Sequence, residues 1–162
     1  MLAAGAATRF GSPKQRLLLP EVLERLGRTS VDEVVVVVGA YDVETDARVV
    51  HCTDWERGPG ASLRCGLAAL DAEAAVVVLA DGPDLAPEAV DRVVGAWRER
   101  GEPVVAASYD GERGHPVLLA RSAWGTVPDE GARGLPALLV PCDDLGAPGD
   151  VDRADQLPER FR

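Results

Sequence analysis

Two uninterrupted apolar runs, Val34 to Val38 and Ala75 to Ala80, constrain the fold of this chain more than any other feature. Neither alternates apolar with polar residues, so each reads as a central strand covered on both faces. Pro103 to Ser108 reads as a third strand. Pro116 to Ala120 reads as a fourth, with its proline at the first strand position. Helices are expected between them. Ala61 to Leu70 sets Leu63, Leu67 and Leu70 on one face. Pro87 to Arg100 opens on proline and acid and closes on Arg98, Arg100 and Gly101. Gly131 to Leu139 is expected as a weaker helix, interrupted by Gly134 and Pro136. This alternation predicts an α/β fold: a three-layer sandwich around a mostly parallel, doubly wound sheet, in one domain spanning residues 1–162.

Composition narrows the partners. Apolar residues make up 46% of the chain but aromatics only 4%, so Val, Leu and Ala must build the core. With 17 basic and 27 acidic residues the net charge is −10, which repels nucleic acid and anionic membrane alike. The apolar runs fall far short of the ~20 residues that cross a bilayer. Cys52, Cys65 and Cys142 are spread without a Cys-x-x-Cys pair. They are expected as buried, inert thiols, with no zinc site or disulfide framework, in a reducing cytoplasm.

Ligands of such sheets bind beyond the carboxyl ends of the strands, and the chemistry-bearing residues gather there. In Leu2 to Lys14 the small residues Ala3, Ala4 and Gly5 let backbone N–H groups approach an anion. Arg9 can fork onto phosphate oxygens and Lys14 adds a mobile point charge. The run is neither a Walker loop nor a dinucleotide fingerprint. Gly39-Ala40 follows the first apolar run and Asp81 ends the second. A carboxylate there is placed to bridge nucleotide oxygens through Mg²⁺, or else simply to serve the turn before Pro83. Asp150 and Asp152 offer a second acidic pair, as metal ligands or as a solvated loop. His115, one of two histidines with His51, either touches substrate or is structural, and no partner for a triad lies near it. Arg133 puts a cation at the opening of an expected helix, a weak sign of a bound anion. Two irregularities stand out. Only Met1 and Leu2 precede the glycine turn, where a central strand should run, and Gln15 to Asp32 is short for a loop plus a complete helix. Either segments of a longer protein are absent or the first strand is a stub.

These pieces, in this order, resemble the MobA-like NTP transferases, the molybdenum cofactor cytidylyltransferase branch in particular. The matching stretches are Leu2 to Gly11 with Lys14-Gln15, Val35 to Ala40, Trp55 with Gly58 to Leu67, and Val76 to Leu85. Arg113 to Leu119, Glu130 to Arg133 and Asp150 to Leu157 complete the series. The resemblance implies the fold expected above and transfer of CMP (or GMP) from a nucleoside triphosphate to a phosphorylated acceptor of molybdopterin type. It implies that Leu2, Ala3, Ala4, Gly5, Gly39 and Ser62 line the nucleotide, and that Arg9, Lys14 and Asp81 act in catalysis. Asp81 and Asp152 would hold Mg²⁺, His115 would face the acceptor, and a molybdoenzyme would be a protein partner. Leu-Ala-Ala-Gly in place of Leu-Ala-Gly-Gly favours CTP over GTP, because the Ala4 methyl narrows a pocket that a purine needs wide. Gly82 and the altered ending Asp150 to Leu157 depart from the pattern. They keep two alternatives open: a non-catalytic cofactor- or nucleotide-binding accessory protein, and a sugar-phosphate or alcohol-phosphate nucleotidyltransferase.

Overall fold

A computed structural model describes residues 1–6, 10–12 and 14–162. Its elements in chain order are β1 (Leu2–Ala3), α1 (Lys14–Leu26), β2 (Val35–Val38), β3 (Arg48–His51), α2 (Pro59–Ala68), β4 (Ala74–Val77), α3 (Pro87–Arg100), β5 (Val104–Tyr109), β6 (Glu112–Ala120) and β7 (Leu138–Pro141). Strands β1, β2 and β3 pair in parallel with β2 central. In a second sheet the order is β4-β6-β5-β7. A parallel bridge between Leu2 and Leu79 joins the two, with Leu2 N donating to Val78 O at 2.9 Å and Ala80 N to Leu2 O at 3.0 Å. Among the described strands β6 alone runs against the rest, pairing antiparallel with both β4 and β5. The fold is therefore α/β with a mostly parallel sheet.

Strand alternation explains how two helical layers are served by one sheet. Val36, Val38 and Val78 pack with Leu19 and Val22 of α1 and Val90 of α3. On the same face Val105, Ala107 and Leu118 meet Ala89, Val93 and Val94 of α3. Their neighbours point the other way: Val77, Ala106, Val117 and Leu119 cluster with Leu63 and Leu67 of α2. All four residues of β2 are buried, as its unbroken valine run requires. Helix α3 ends on Gly101, whose φ of 67° is the left-handed cap that glycine adopts without strain. No helix among the described residues is long and apolar enough to cross a membrane.

Four expectations need correction. Pro116 lies inside β6, not at its start, where the register against β5 shifts between Ala106 and Ser108. A bulge there frees proline from the ladder donor it lacks. Gly131 to Leu139 is not a helix; only a turn of 3-10 helix forms at Ala132–Gly134 before β7. Gly131 sits at φ 100°, and the Gly134 and Pro136 interruptions prevail over any helical pattern. The short segment after Gln15 does hold a full helix, because α1 starts at Lys14 and carries Pro20 within it. Finally, Cys52 and Cys65 are joined in a disulfide, which also removes the argument that unpaired cysteines mark a reducing compartment. The end of β3 lies beneath α2, so the fold brings together two thiols that no short motif connects. Cys142 is buried and free, as expected.

Closing a loop of 13 residues' separation constrains the unfolded chain, so a Cys52→Ser/Cys65→Ser variant is expected to lose about 3 kcal/mol in urea unfolding. Peptide mapping without reductant should yield a linked Cys52–Cys65 pair and one alkylatable thiol. Three alkylatable thiols would contradict the pairing.

Candidate active site

The sheet order puts the carboxyl ends of β1, β2 and β4 side by side, and a cleft of about 520 Å³ opens over them. Its floor is the turn Leu2 to Gly5 together with Leu79 to Asp81. Lys14 and Gln15, at the start of α1, form one wall. Trp55, Glu56, Gly58, Pro59 and Ser62, leading into and along α2, form the facing wall, and Asp152 closes one end. Among the site residues expected from sequence, Leu2, Ala3, Ala4, Gly5, Lys14, Ser62, Asp81 and Asp152 thus share one cavity. Arg9 lies outside the described residues.

The charged end is built around Lys14. Its Nζ lies 2.9 Å from Asp81 Oδ2 and 3.7 Å from Asp152 Oδ1, and donates to the Val151 carbonyl. Only 8% of that side chain is exposed, and it sits at the N-terminal end of a helix, where the dipole disfavours a cation. The two carboxylates supply the compensation, since a buried ion left unpaired costs several kcal/mol. The C-terminal segment crosses close to the end of β4, where a Cβ at position 82 would meet Pro148 Cβ at 3.1 Å, a tight contact that glycine avoids. There Asp84 N donates to Pro148 O at 2.9 Å and Val151 N to Asp81 O at 3.2 Å. Gln156 Oε1 accepts from the amides of Asp152 and Arg153, both at 2.8 Å, and fixes the turn. The departure at Gly82 that the sequence flagged thus falls where this segment crosses.

The facing wall depends on close backbone approach. A Cβ on Gly60 would lie 1.7 Å from Pro128 O, and Gly60 N donates to Asp129 O at 2.9 Å. Asp129 also pairs with Arg57 and Arg64, and those hydrogen bonds hold its carboxyl below the usual range. Gly39 does not line the cleft but stands behind Trp55, leaving room for its ring. Gln15 Nε2 donates to Gly5 O at 2.7 Å and steadies the turn, while its Oε1 is buried without a hydrogen-bond partner among the described residues. Sequence reasoning gave no role to Trp55, Glu56 or Gln15, although Trp55 and Gln15 lie in the stretches that carried the resemblance.

His115 is outside the cleft lining, on the bulge of β6, yet close enough to feel the charge of Asp81. Its carbonyl accepts from Tyr109 Oη at 2.8 Å. Burial pushes its imidazole down to about 4; Asp81 opposes this, and Arg113 and Arg133 add to it. Arg113 donates to the carbonyls of Ala132 and Leu135, which ties down the segment bearing the exposed Arg133. Among the described residues no three His, Cys, Asp or Glu side chains cluster as a metal site, so a metal here would rest on two protein carboxylates. Another cavity, of about 430 Å³, opens at the amino ends of β2 and β4. Its walls are largely valine and leucine, with Asp32, Glu33, Asp71, Glu73 and Arg98 also among the lining residues.

An α/β sheet with a small-residue turn, a buried lysine and two acidic groups at its carboxyl edge defines a nucleotide-handling class of site. Residues 1–144 match the MobA-like NTP transferase domain. A molybdenum cofactor guanylyltransferase of Serratia proteamaculans (strain 568) is 31% identical over 160 residues, covering 91% of this chain and 79% of its own length. Among solved structures, a homologue from Mycobacterium sp. strain JC1 of Mycobacterium tuberculosis Rv0371c superposes with a TM-score of 0.79 at 27% identity, over 96% of this chain and 89% of its own. Rv0371c from M. tuberculosis H37Rv in complex with manganese gives 0.71 at 25% identity, over 95% and 91%. The chain belongs to the MobA-like NTP transferase family and is a nucleotidyltransferase.

The His115 shift fixes the sign of a pH effect. A histidine held near 4 in the fold and near 6.5 when unfolded binds more protons in the unfolded chain. Its contribution to stability is complete above pH 6.5 and is lost as pH falls from there towards 4. An NMR titration of the His115 Cε1–H signal is expected to show a midpoint near 4. In His115→Asn, this part of the acid-side loss of stability should vanish. A midpoint at or above 6.5 would show that the imidazole is not desolvated.

Proposed function

We propose that this chain moves a CMP unit from CTP to the terminal phosphate of a molybdopterin-type acceptor, releasing pyrophosphate. The observation that supports it is the meeting of Lys14, Asp81 and Asp152 at one end of a cleft floored by the Leu2 to Gly5 turn. An acceptor phosphate is already ionised near neutral pH, so no general base is needed. One of its oxygens attacks the α-phosphorus, a new P–O bond forms, and the bond to the β-phosphate oxygen breaks. Positioning and charge neutralisation dominate such chemistry. Lys14, with Arg9, neutralises the departing pyrophosphate, while the backbone of Ala3 to Gly5 holds the nucleotide. Neutral His115, on the β6 side, is available to hydrogen-bond the acceptor. The residues fit a divalent ion: Mg²⁺ keeps several waters and takes one or two carboxylates plus substrate phosphates. Asp81 and Asp152 would hold it, and bound there it would supply charge neutralisation between acceptor and nucleotide.

The buried Ala4 methyl in the cleft floor supports cytidine as the base. The name of the Serratia relative favours a second reading, GTP as donor. Pyrophosphate release with each triphosphate and Mg²⁺ decides between them, and CTP is expected to turn over at least tenfold faster. Asp81→Asn should lower kcat by two to three decades, corresponding to ~3–4 kcal/mol for an oriented charge at a reacting centre, with its thermal melt still cooperative. Wild-type turnover in that variant would remove Asp81 from the machinery. Nucleotide binding without pyrophosphate release would favour an accessory, non-catalytic role.

A further inference from the structure

The cleft is chemically divided, and sheet order says how. Lys14 and Asp81 stand at its charged end, over β1 and the end of β4. His115 lies on β6, beyond β4. Trp55 lies on the opposite side, where β2 and β3 end. Triphosphate at the charged end and acceptor beyond it on the β6 side leave the β2–β3 side for the base, and the large side chain there is an indole.

Two observations mark Trp55 as a built wall. First, space has been cleared for it: a Cβ on Gly39 would fall 2.5 Å from Trp55 Cγ and 2.9 Å from Ala4 O, so only glycine seats the ring beside the turn. Second, its segment is held from several sides. Gly58 N donates to Trp55 O at 3.2 Å, Arg57 pairs with Asp129, and the Cys52–Cys65 disulfide brackets the loop. A pre-positioned aromatic side chain loses little entropy when a ligand packs on it. Trp55 is half-buried, packed against the Val35, Val37 and Cys52 cluster while it lines the cleft; Trp97 packs with the α3 cluster, and Trp124 Nε1 donates to Leu119 O.

We propose that Trp55 is the nucleobase-contacting residue of this cleft, packing its indole against the face of the base, and that Gly39 is the positioning residue that seats it. The inference rests on the nucleotide-transfer reading and adds to it the wall that receives the base. Every base has a π-face, so Trp55 supplies affinity, and discrimination is left to Ala4.

The test uses a Trp97→Phe/Trp124→Phe chain, in which Trp55 is the sole tryptophan. It is titrated with CTP, GTP and inorganic pyrophosphate, each with Mg²⁺. CTP or GTP should quench the emission saturably, whereas pyrophosphate should bind without quenching. By calorimetry on the otherwise wild-type chain, Trp55→Ala should weaken nucleotide about ten- to hundredfold, in the range of single-base stacking. Its pyrophosphate affinity should change less than twofold, and Trp55→Phe should recover most of the loss. Gly39→Ala should weaken nucleotide similarly while keeping the indole. Nucleotide binding that Trp55→Ala leaves within twofold of wild type overturns the proposal and leaves the transfer reading standing. Failure of the wild-type chain to bind any nucleotide overturns both.

Discussion

A lysine ammonium almost shut off from water is the constraint on which this site depends. Lys14 cannot be buried alone, and the chain meets that demand by bringing two carboxylates and a carbonyl to it from distant segments. Asp81 arrives on the end of β4, and Val151 and Asp152 arrive on an irregular crossing beside Gly82. The same contact closes the C-terminal segment onto the sheet and sets two acidic groups at the charged end of the cleft, where the proposed divalent ion would be held.

The sheet supplies the rest of the geometry. Because β1, β2 and β4 run the same way, the small-residue turn, Gly39 and Asp81 all emerge at one edge. The antiparallel strand β6 brings His115 to that neighbourhood from the other direction. The helices cover the faces and leave this edge open. Loop 127–129, pressed against Gly58 and Gly60, holds the α2 side in place through Arg57 and Arg64.

Much of this could be read from the residues because it follows from local rules. An unbroken valine run means a strand covered twice, and β2 is buried throughout. Pro87 at the first position of α3 and Gly101 at its C-cap bracket the helix as read from sequence. The convergence of Lys14, Asp81 and Asp152 was foreseeable from the strand-end rule together with family likeness. What escaped reading depends on tertiary contact. The Cys52–Cys65 pair needs β3 to end beneath α2, the bulge at Pro116 needs β5 as a partner, and Gly39 makes sense only once Trp55 lies against it. Gly131 to Leu139 reads from sequence as a weaker, interrupted helix, yet its end runs along β5 as part of β7 instead.

In crystals grown with Mn²⁺ and a non-hydrolysable cytidine or guanosine triphosphate, the anomalous signal of the metal locates the ion. One peak is expected beside Asp81, Asp152 and the nucleotide phosphates, with the Lys14 ammonium turned onto a phosphate oxygen. Nucleotide bound in the cleft with the anomalous peak remote from both aspartates, or with Lys14 still locked between them, would contradict this placement.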